Sequence, residues 1–222
     1  MSEERVWNDQ TREELRQTLR STIHGEVRLA KRDHNEILQN CFEVYIVDCP
    51  ESEQDTFKQF AADELNCAVT GLSAERATWP EETDCDRLDR VEAALCDRGI
   101  LLWQASPCCD SCTWGELPDR INVLNDRYPG FRDRVRGYAF FIDQNMPESL
   151  ADSTALSVCL GYGWFSPEDS EPTAEAYKKE ALGIAHEVCE CLRNEGFEVN
   201  WDNDFARKIC ISLNWQRRTL LS

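Results

Sequence analysis

The sequence predicts an α+β protein with a helical N-terminal region, residues 1–80, and an α+β domain over residues 81–222. Apolar residues recur at helical spacing as far as Trp79-Pro80, whereas short strand-like apolar runs appear from Ile100 onwards. The order from Ile100 is strand, helix, strand, strand, helix, strand, strand. This order contains the βαββαβ plan of a ferredoxin-like antiparallel sandwich, with an extra C-terminal strand.

Three helices are predicted in the N-terminal region. A capping box at residues 11–14 and a glycine at position 25 bound the first, because these residue types mark helix starts and ends. Apolar residues at helical spacing predict a second helix over residues 37–45 and a third over residues 52–72.

Periodicity and turn residues predict the elements of the C-terminal region in this order: a helix from Thr83 to Gly99, a strand at 100–105, a helix at 117–128, strands at 138–142 and 155–160, a helix from Thr173 to Gly196, and a hairpin of strands 197–201 and 208–215. Thr83 is the expected N-cap of its helix, since acidic residues follow it in the first turn. Gly161-Tyr162-Gly163 lacks the third glycine of a phosphate-binding loop and is expected to form a bend at a strand end.

Composition is that of a globular protein. Of the 222 residues, 41% are hydrophobic and 30% charged, which is enough apolar content to bury a core. No run approaches the roughly 18 apolar residues of a membrane span, and the start of the chain lacks the pattern of a signal peptide. A cytoplasmic location, no membrane association and reduced thiols are therefore expected.

The charge of the chain excludes one class of partner. Forty-two acidic residues against 24 basic ones leave a formal charge of −18, and nucleic acid would be repelled because phosphate contacts need a basic surface. A basic protein partner is compatible with this charge, as is a solvated acidic coat without any specific partner. The sequence does not predict an oligomeric state.

The cysteines supply the candidate site. Cys108, Cys109 and Cys112 fall within five residues after an apolar strand, and a Cys-x2-Cys spacing lets two sulfurs reach one tetrahedral zinc ion. Cys85, in the first turn of the preceding helix, is the best fourth ligand. We predict these four as a candidate structural zinc site, and predict no other cofactor. Cys159 and Cys210, inside apolar runs, are expected to be buried and unreactive thiols.

The same thiols allow a redox interpretation. A helix N-terminus favours the thiolate of Cys85, or of Cys112 if that residue opens a helix, whereas the neighbouring aspartates oppose it. Asp84, Asp86 and Glu116 would be the carboxylates of an acid-base site, but stabilisation of a helix start explains the first two. With three histidines in the chain, no Ser-His-Asp or Cys-His arrangement can be derived, and catalytic residues are not assigned.

Several sequence islands occur together in the C-terminal region: Trp79-Pro80, residues 83–88, residues 98–100, residues 108–112 with Glu116, residues 137–141, residues 160–163, residues 196–202 and residues 215–218. As a set they resemble an uncharacterised bacterial family, domain of unknown function 6891, over about residues 79–218. The resemblance implies relatedness and carries no assigned activity.

Three functional hypotheses follow from the sequence. The first is a non-catalytic cytoplasmic protein whose cysteine cluster is a structural zinc site. The second is an acidic interaction module that binds a basic protein. The third is a thiol-based redox protein.

Overall fold

A computed structural model describes residues 7–107, 109–167 and 171–221. The mixed α+β character predicted from the sequence is confirmed. In chain order the helices are α1 (Asp9–Leu29), α2 (His34–Cys41), α3 (Glu51–Arg76), α4 (Asp84–Asp97), α5 (Asp110–Arg127), α6 (Phe131–Arg134), α7 (Met146–Leu150) and α8 (Ala174–Asn194). A π-helical turn, Phe42–Ile46, follows α2 directly. The strands are β1 (Ile100–Ser106), β2 (Gly137–Ile142), β3 (Ala155–Trp164), β4 (Val199–Asn200) and β5 (Ile209–Asn214).

The described residues form two compact units. The helical unit contains the chain up to Glu81, together with Asn145–Thr154 and the segment that begins at Trp215. The sheet unit contains Glu82–Gln144 and Ala155–Asn214. The sequence places residues 145–154 and 215–222 in the C-terminal domain, whereas the structure packs their described residues with the N-terminal helices.

The helical unit has its own apolar core, which α1, α2, the π-helical turn and α3 form together. Helix α1 is capped by Asn8 and continues to Leu29, so the predicted start at the capping box of residues 11–14 and the predicted stop at Gly25 are both wrong. Gly25 instead allows a close approach, because a Cβ atom there would lie 1.8 Å from the backbone oxygen of Pro147 on α7. Trp215 is buried in this unit, and its indole Nε1 donates to the carbonyl oxygen of Leu29 at 3.2 Å.

The sheet unit is built on a five-stranded mixed sheet in the order β1-β2-β3-β5-β4. β1 and β2 are parallel neighbours, and the other neighbouring pairs are antiparallel. A ferredoxin-like sandwich requires a split βαβ unit with another strand between the first two, and this arrangement is not formed. β1 and β2 are almost wholly buried, which is typical of adjacent parallel strands joined by a crossover helix.

Different helices pack on the two faces of the sheet. Helix α5 packs on one face of β1 and β2, where Leu117 and Leu124 join Leu101, Tyr138 and Phe140 in one apolar cluster. Helix α8 packs against β2 and β3. In β3 from Ala155 to Leu160 buried and exposed side chains alternate, so one face of this part of the sheet is open to solvent.

β3 continues through Gly161-Tyr162-Gly163 to Trp164, where the sequence predicted a bend at the strand end. No helix among the described residues has both the length and the apolar character needed to cross a membrane.

Candidate functional site

The first cysteine pair lies where β1 leads into α5. Cys109 is the N-cap residue of α5, and Cys112 lies in its first turn. The Cys109 Sγ and Cys112 Sγ atoms are 3.4 Å apart. Cys112 is exposed and Cys109 is half-buried. The two sulfurs are thus in non-bonded contact at a solvent-accessible helix N-terminus.

A buried threonine fixes this turn to the sheet. Thr113 is fully buried, and its Oγ1 lies 2.9 Å from the Ser106 Oγ and 3.0 Å from the Cys109 carbonyl oxygen. The Ser106 hydroxyl donates in turn to the carbonyl oxygen of Phe141 on β2, at 3.2 Å. Satisfied buried hydroxyls of this kind specify one backbone arrangement, so the sulfur pair is pre-positioned by the end of β1.

An ion pair joins the start of α5 to β5. The Lys208 ammonium lies 2.9 Å from both carboxylate oxygens of Asp110. Asp110 directly follows Cys109, and its negative charge would by itself disfavour a nearby thiolate. The Lys208 charge offsets that effect, because the two groups form a close pair in front of the helix.

The second cysteine pair is a disulfide on the sheet. Cys159 of β3 and Cys210 of β5 are directly opposite in the antiparallel register, and their sulfurs are bonded at 2.05 Å. Cys159 is exposed and Cys210 is half-buried. The prediction that both are buried, unreactive thiols is therefore wrong. Their neighbours in both strands are buried, and the two-residue period of a strand turns the cysteines to the opposite face.

Both cysteine pairs lie on the same side of the sheet. Phe140, which packs under α5, is paired with Gly161, and Cys159 shares the face of Gly161 because it precedes it by two residues. Lys208 likewise shares the face of Cys210, and it reaches Asp110 at the start of α5. The α5 N-terminus and the disulfide are consequently elements of one surface of the sheet unit.

A concave surface adjoins the disulfide. Its volume is about 340 Å³, and Ser157, Asn200, Cys210 and Ser212 are among the residues that line it. This surface leaves room for a ligand or a peptide segment beside Cys210.

The buried thiols contrast with the exposed ones. Burial raises the pKa of Cys41 to about 12 and that of Cys189 to about 11. It also raises the pKa of Cys96 and of Cys191. Because the thiolate is the nucleophile and the metal-binding form, these four thiols are poorly suited to chemistry near neutral pH.

The predicted zinc ligands are only partly placed by the structure. Cys85 is buried in the first turn of α4 with 2% of its surface exposed, and Cys109 and Cys112 start α5. Cys108 lies outside the described residues. Among residues 7–107, 109–167 and 171–221, no three His, Cys, Asp or Glu side chains are grouped so that they could hold a metal ion. The four-cysteine zinc site therefore stays a prediction.

The carboxylates considered from the sequence have structural contacts. Asp86 and Thr83 form a capping box at the start of α4. Asp84 pairs with Arg87 and also accepts a hydrogen bond from the Asn214 backbone N–H, at 2.8 Å. These contacts agree with helix stabilisation rather than acid-base chemistry.

Sequence reasoning missed two features of this site. Lys208 was assigned only to a strand, since nothing in the sequence pairs it with Asp110, 98 positions away. The disulfide had a usable signal, because Ser157-Val158-Cys159-Leu160 and Ile209-Cys210-Ile211-Ser212 alternate apolar residues with cysteine or serine.

A family model described as Domain of unknown function (DUF6891) matches residues 12–219. The chain belongs to this family. The resemblance seen in the sequence is thus confirmed, and the DUF6891 match also takes in the N-terminal helices from residue 12. No curated protein and no solved structure matches the chain.

Proposed function

We propose that this protein is a thiol–disulfide redox protein in which Cys109 and Cys112 form the reacting dithiol. The observation that supports this proposal is the 3.4 Å separation of their sulfurs at the start of α5. A bond between them needs a contraction to about 2.05 Å, which side-chain rotation within the turn can supply. Cys112 is also exposed, so a partner disulfide can reach it.

The position at the helix start favours the reactive form. The N-terminal end of a helix carries partial positive charge, and this stabilises a thiolate in its first turn. Lys208 neutralises the negative charge of Asp110 beside the same turn through their ion pair, so the aspartate does not cancel the effect of the helix. The disulfide at Cys159 and Cys210 supports the same functional class, since it places a second sulfur centre on this surface.

The proposed reaction is exchange with a disulfide of low molecular weight or of an exposed peptide. The thiolate of one cysteine attacks a sulfur of the partner disulfide, and the partner's other sulfur leaves as a thiolate that takes up a proton. The second cysteine then attacks the mixed disulfide and releases the other partner thiol. Two electrons pass to the partner, and Cys109 and Cys112 are left joined by a bond.

A zinc site remains the second candidate, because the sulfur separation is also compatible with metal binding. Two thiolates bonded to one tetrahedral zinc at about 2.3 Å lie about 3.8 Å apart. Cys109 and Cys112 would supply two ligands, and the sequence assigns Cys108 and Cys85 as the others. The redox proposal is favoured because it needs only the two sulfurs whose proximity is observed.

The test is a redox titration of the full chain in glutathione buffers, with alkylation and mass mapping of the peptide that carries Cys109 and Cys112. The same peptide carries Cys108, so wild-type protein is expected to pass from three alkylated thiols to one alkylated thiol and a linked pair, in a single two-electron transition. Cys112→Ser is expected to lose this transition. Cys67→Ser, which alters an exposed thiol on α3, is expected to retain it.

The same samples distinguish the alternatives. If Cys109 and Cys112 both stay alkylatable in every oxidising buffer, the redox proposal is ruled out. One equivalent of zinc in protein purified without chelator, lost in Cys112→Ser, would establish the metal site instead. A salt-sensitive complex with a basic protein, unaffected by Cys112→Ser, would support the interaction module predicted from the acidic composition.

A further inference from the structure

The helical unit contains a cavity of about 490 Å³, a size typical of pockets for small molecules. It lies between the end of α1, the start of α2, the second half of α3 and the C-terminal segment. Val27, Ile37 and Leu72 give it an apolar wall, and each of the three is buried.

Arginines line the same cavity in a chain of strongly negative charge. Arg32, Arg76 and Arg218 all contribute to its wall, although the formal charge of the protein is −18. The guanidinium groups of Arg76 and Arg218 both lie over the ring of Trp79, at 5.8 and 5.9 Å from its centroid. Trp79 thus holds two positive groups at one edge of the cavity.

The charge of Arg76 is not paired with a carboxylate of the described residues. Its Nη2 donates to the carbonyl oxygen of Arg217 at 3.1 Å, and no carboxylate of the described residues forms an ion pair with it. Its Nε is buried and has no hydrogen-bond partner within the described residues. Arg32, in contrast, is paired with Glu26. Because Nε is closed to solvent-sized atoms, an anionic ligand would bind the positive charge of the Arg76 guanidinium through its other nitrogens.

We infer that this cavity binds a small organic anion, with its carboxylate or phosphate group at Arg76 and its apolar part against Val27, Ile37 and Leu72. The anion forms a charge-assisted contact with the Arg76 guanidinium, which has no ion pair with a carboxylate of the described residues. Its apolar part displaces water from the wall that α1, α2 and α3 form. This site belongs to the helical unit and does not depend on the cysteine chemistry of the sheet unit.

The experiment uses three probes of equal chain length: hexanoate, hexyl phosphate and hexanol. Binding to the full chain is followed by the methyl shifts of Val69 and Leu72 in NMR spectra and by isothermal titration calorimetry. Hexanol is expected to bind at least about tenfold more weakly than the better anion, because hydrogen bonds to ionised groups are the stronger ones. The tighter of the two anions identifies the head group.

Arg76→Gln is the decisive variant, since it removes the charge and keeps much of the side chain. It is expected to lose the preference for the anions over hexanol. Arg16→Gln is the matched control, because Arg16 also lies over an aromatic ring, that of Phe57, without lining the cavity. It is expected to bind as the wild type does.

Three results would overturn the inference. The first is equal affinity of wild-type protein for hexanol and both anions, and the second is unchanged anion affinity in Arg76→Gln. The methyl shifts of Val69 and Leu72 are measured on wild-type protein and do not depend on how well the variant folds. If the probes shift other methyl groups and leave these two unchanged, the cavity is not the binding site.

Discussion

Removing the disulfide between Cys159 and Cys210 is expected to lower the stability of the sheet unit substantially. The bond joins residues 51 positions apart in the sequence. In the chain-entropy description, opening a loop of that length costs about 4 kcal/mol at 25 °C, because the unfolded chain regains the conformations that the cross-link removes. The double variant Cys159→Ser/Cys210→Ser should lose an amount of this order.

Urea denaturation measures the effect. With a slope of about 2 kcal/mol per molar urea, a loss of about 4 kcal/mol lowers the midpoint of the sheet unit by about 2 M. Hydrogen exchange with mass spectrometry assigns the loss to β3 and β5, because the units can unfold in separate transitions. Wild-type protein in a phosphine reductant should behave as the double variant does.

The controls separate this bond from the other cysteines. Cys67→Ser should keep the wild-type midpoint, since Cys67 is an exposed thiol on another element. The double variant should be insensitive to reductant. The reasoning is refuted if the wild-type midpoint is the same with and without reductant, or if the double variant still loses stability when reductant is added.

Three further predictions follow from other parts of the molecule. Gly25→Ala should destabilise the helical unit by about 3 kcal/mol in urea denaturation, because the added methyl meets a backbone oxygen of α7, whereas Gly71→Ala, with open space around it, should add up to about 1 kcal/mol. The Arg12 guanidinium lowers the pKa of Glu53 from 4.5 to about 2, so the stabilising contact is complete above pH 4.5 and is lost towards pH 2. Glu53→Gln should therefore be less stable at pH 6 and show a shallower loss on acidification, and equal pH profiles would contradict this assignment. Thr113→Val should cost about 1–2 kcal/mol and speed the alkylation of the adjacent cysteines, since it removes the hydroxyl that fixes the first turn of α5; unchanged alkylation would show that the hydroxyl does not position them.

Capping residues and apolar periodicity in the sequence predicted most of the secondary structure. Thr83 and Thr173 cap α4 and α8 as predicted, because their side chains accept hydrogen bonds from the helix starts. The predicted end of α1 at Gly25 was wrong for a physical reason. Glycine ends many helices, but Gly25 is used for the close approach of α7, a contact that comes from 122 positions later in the chain and leaves no local pattern.

The sequence predicts where the strands lie better than it predicts which strands pair. The same order of helices and strands is compatible with two sheets. In one, another strand lies between β1 and β2, and in the other β1 and β2 are neighbours. Which sheet forms depends on the faces that α5 and α8 bury. The prediction of cysteine pairs is limited in the same way, because a pair between distant strands depends on how those strands align. The Cys109-x-x-Cys112 pair is visible from spacing, but the bond from Cys159 to Cys210 depends on the register of β3 with β5.

The division of the helical unit into three stretches of sequence has a consequence for protein synthesis. α1 to α3 leave the ribosome before the sheet unit, but the partner that fills the space beside Leu29 is Trp215, which is translated after the whole sheet unit. Until Trp215 is synthesised, the packing of α1 beside Leu29 is therefore incomplete. A nascent chain halted before Trp215 should therefore expose apolar surface to chaperones and proteases, even when β1 to β5 are already folded.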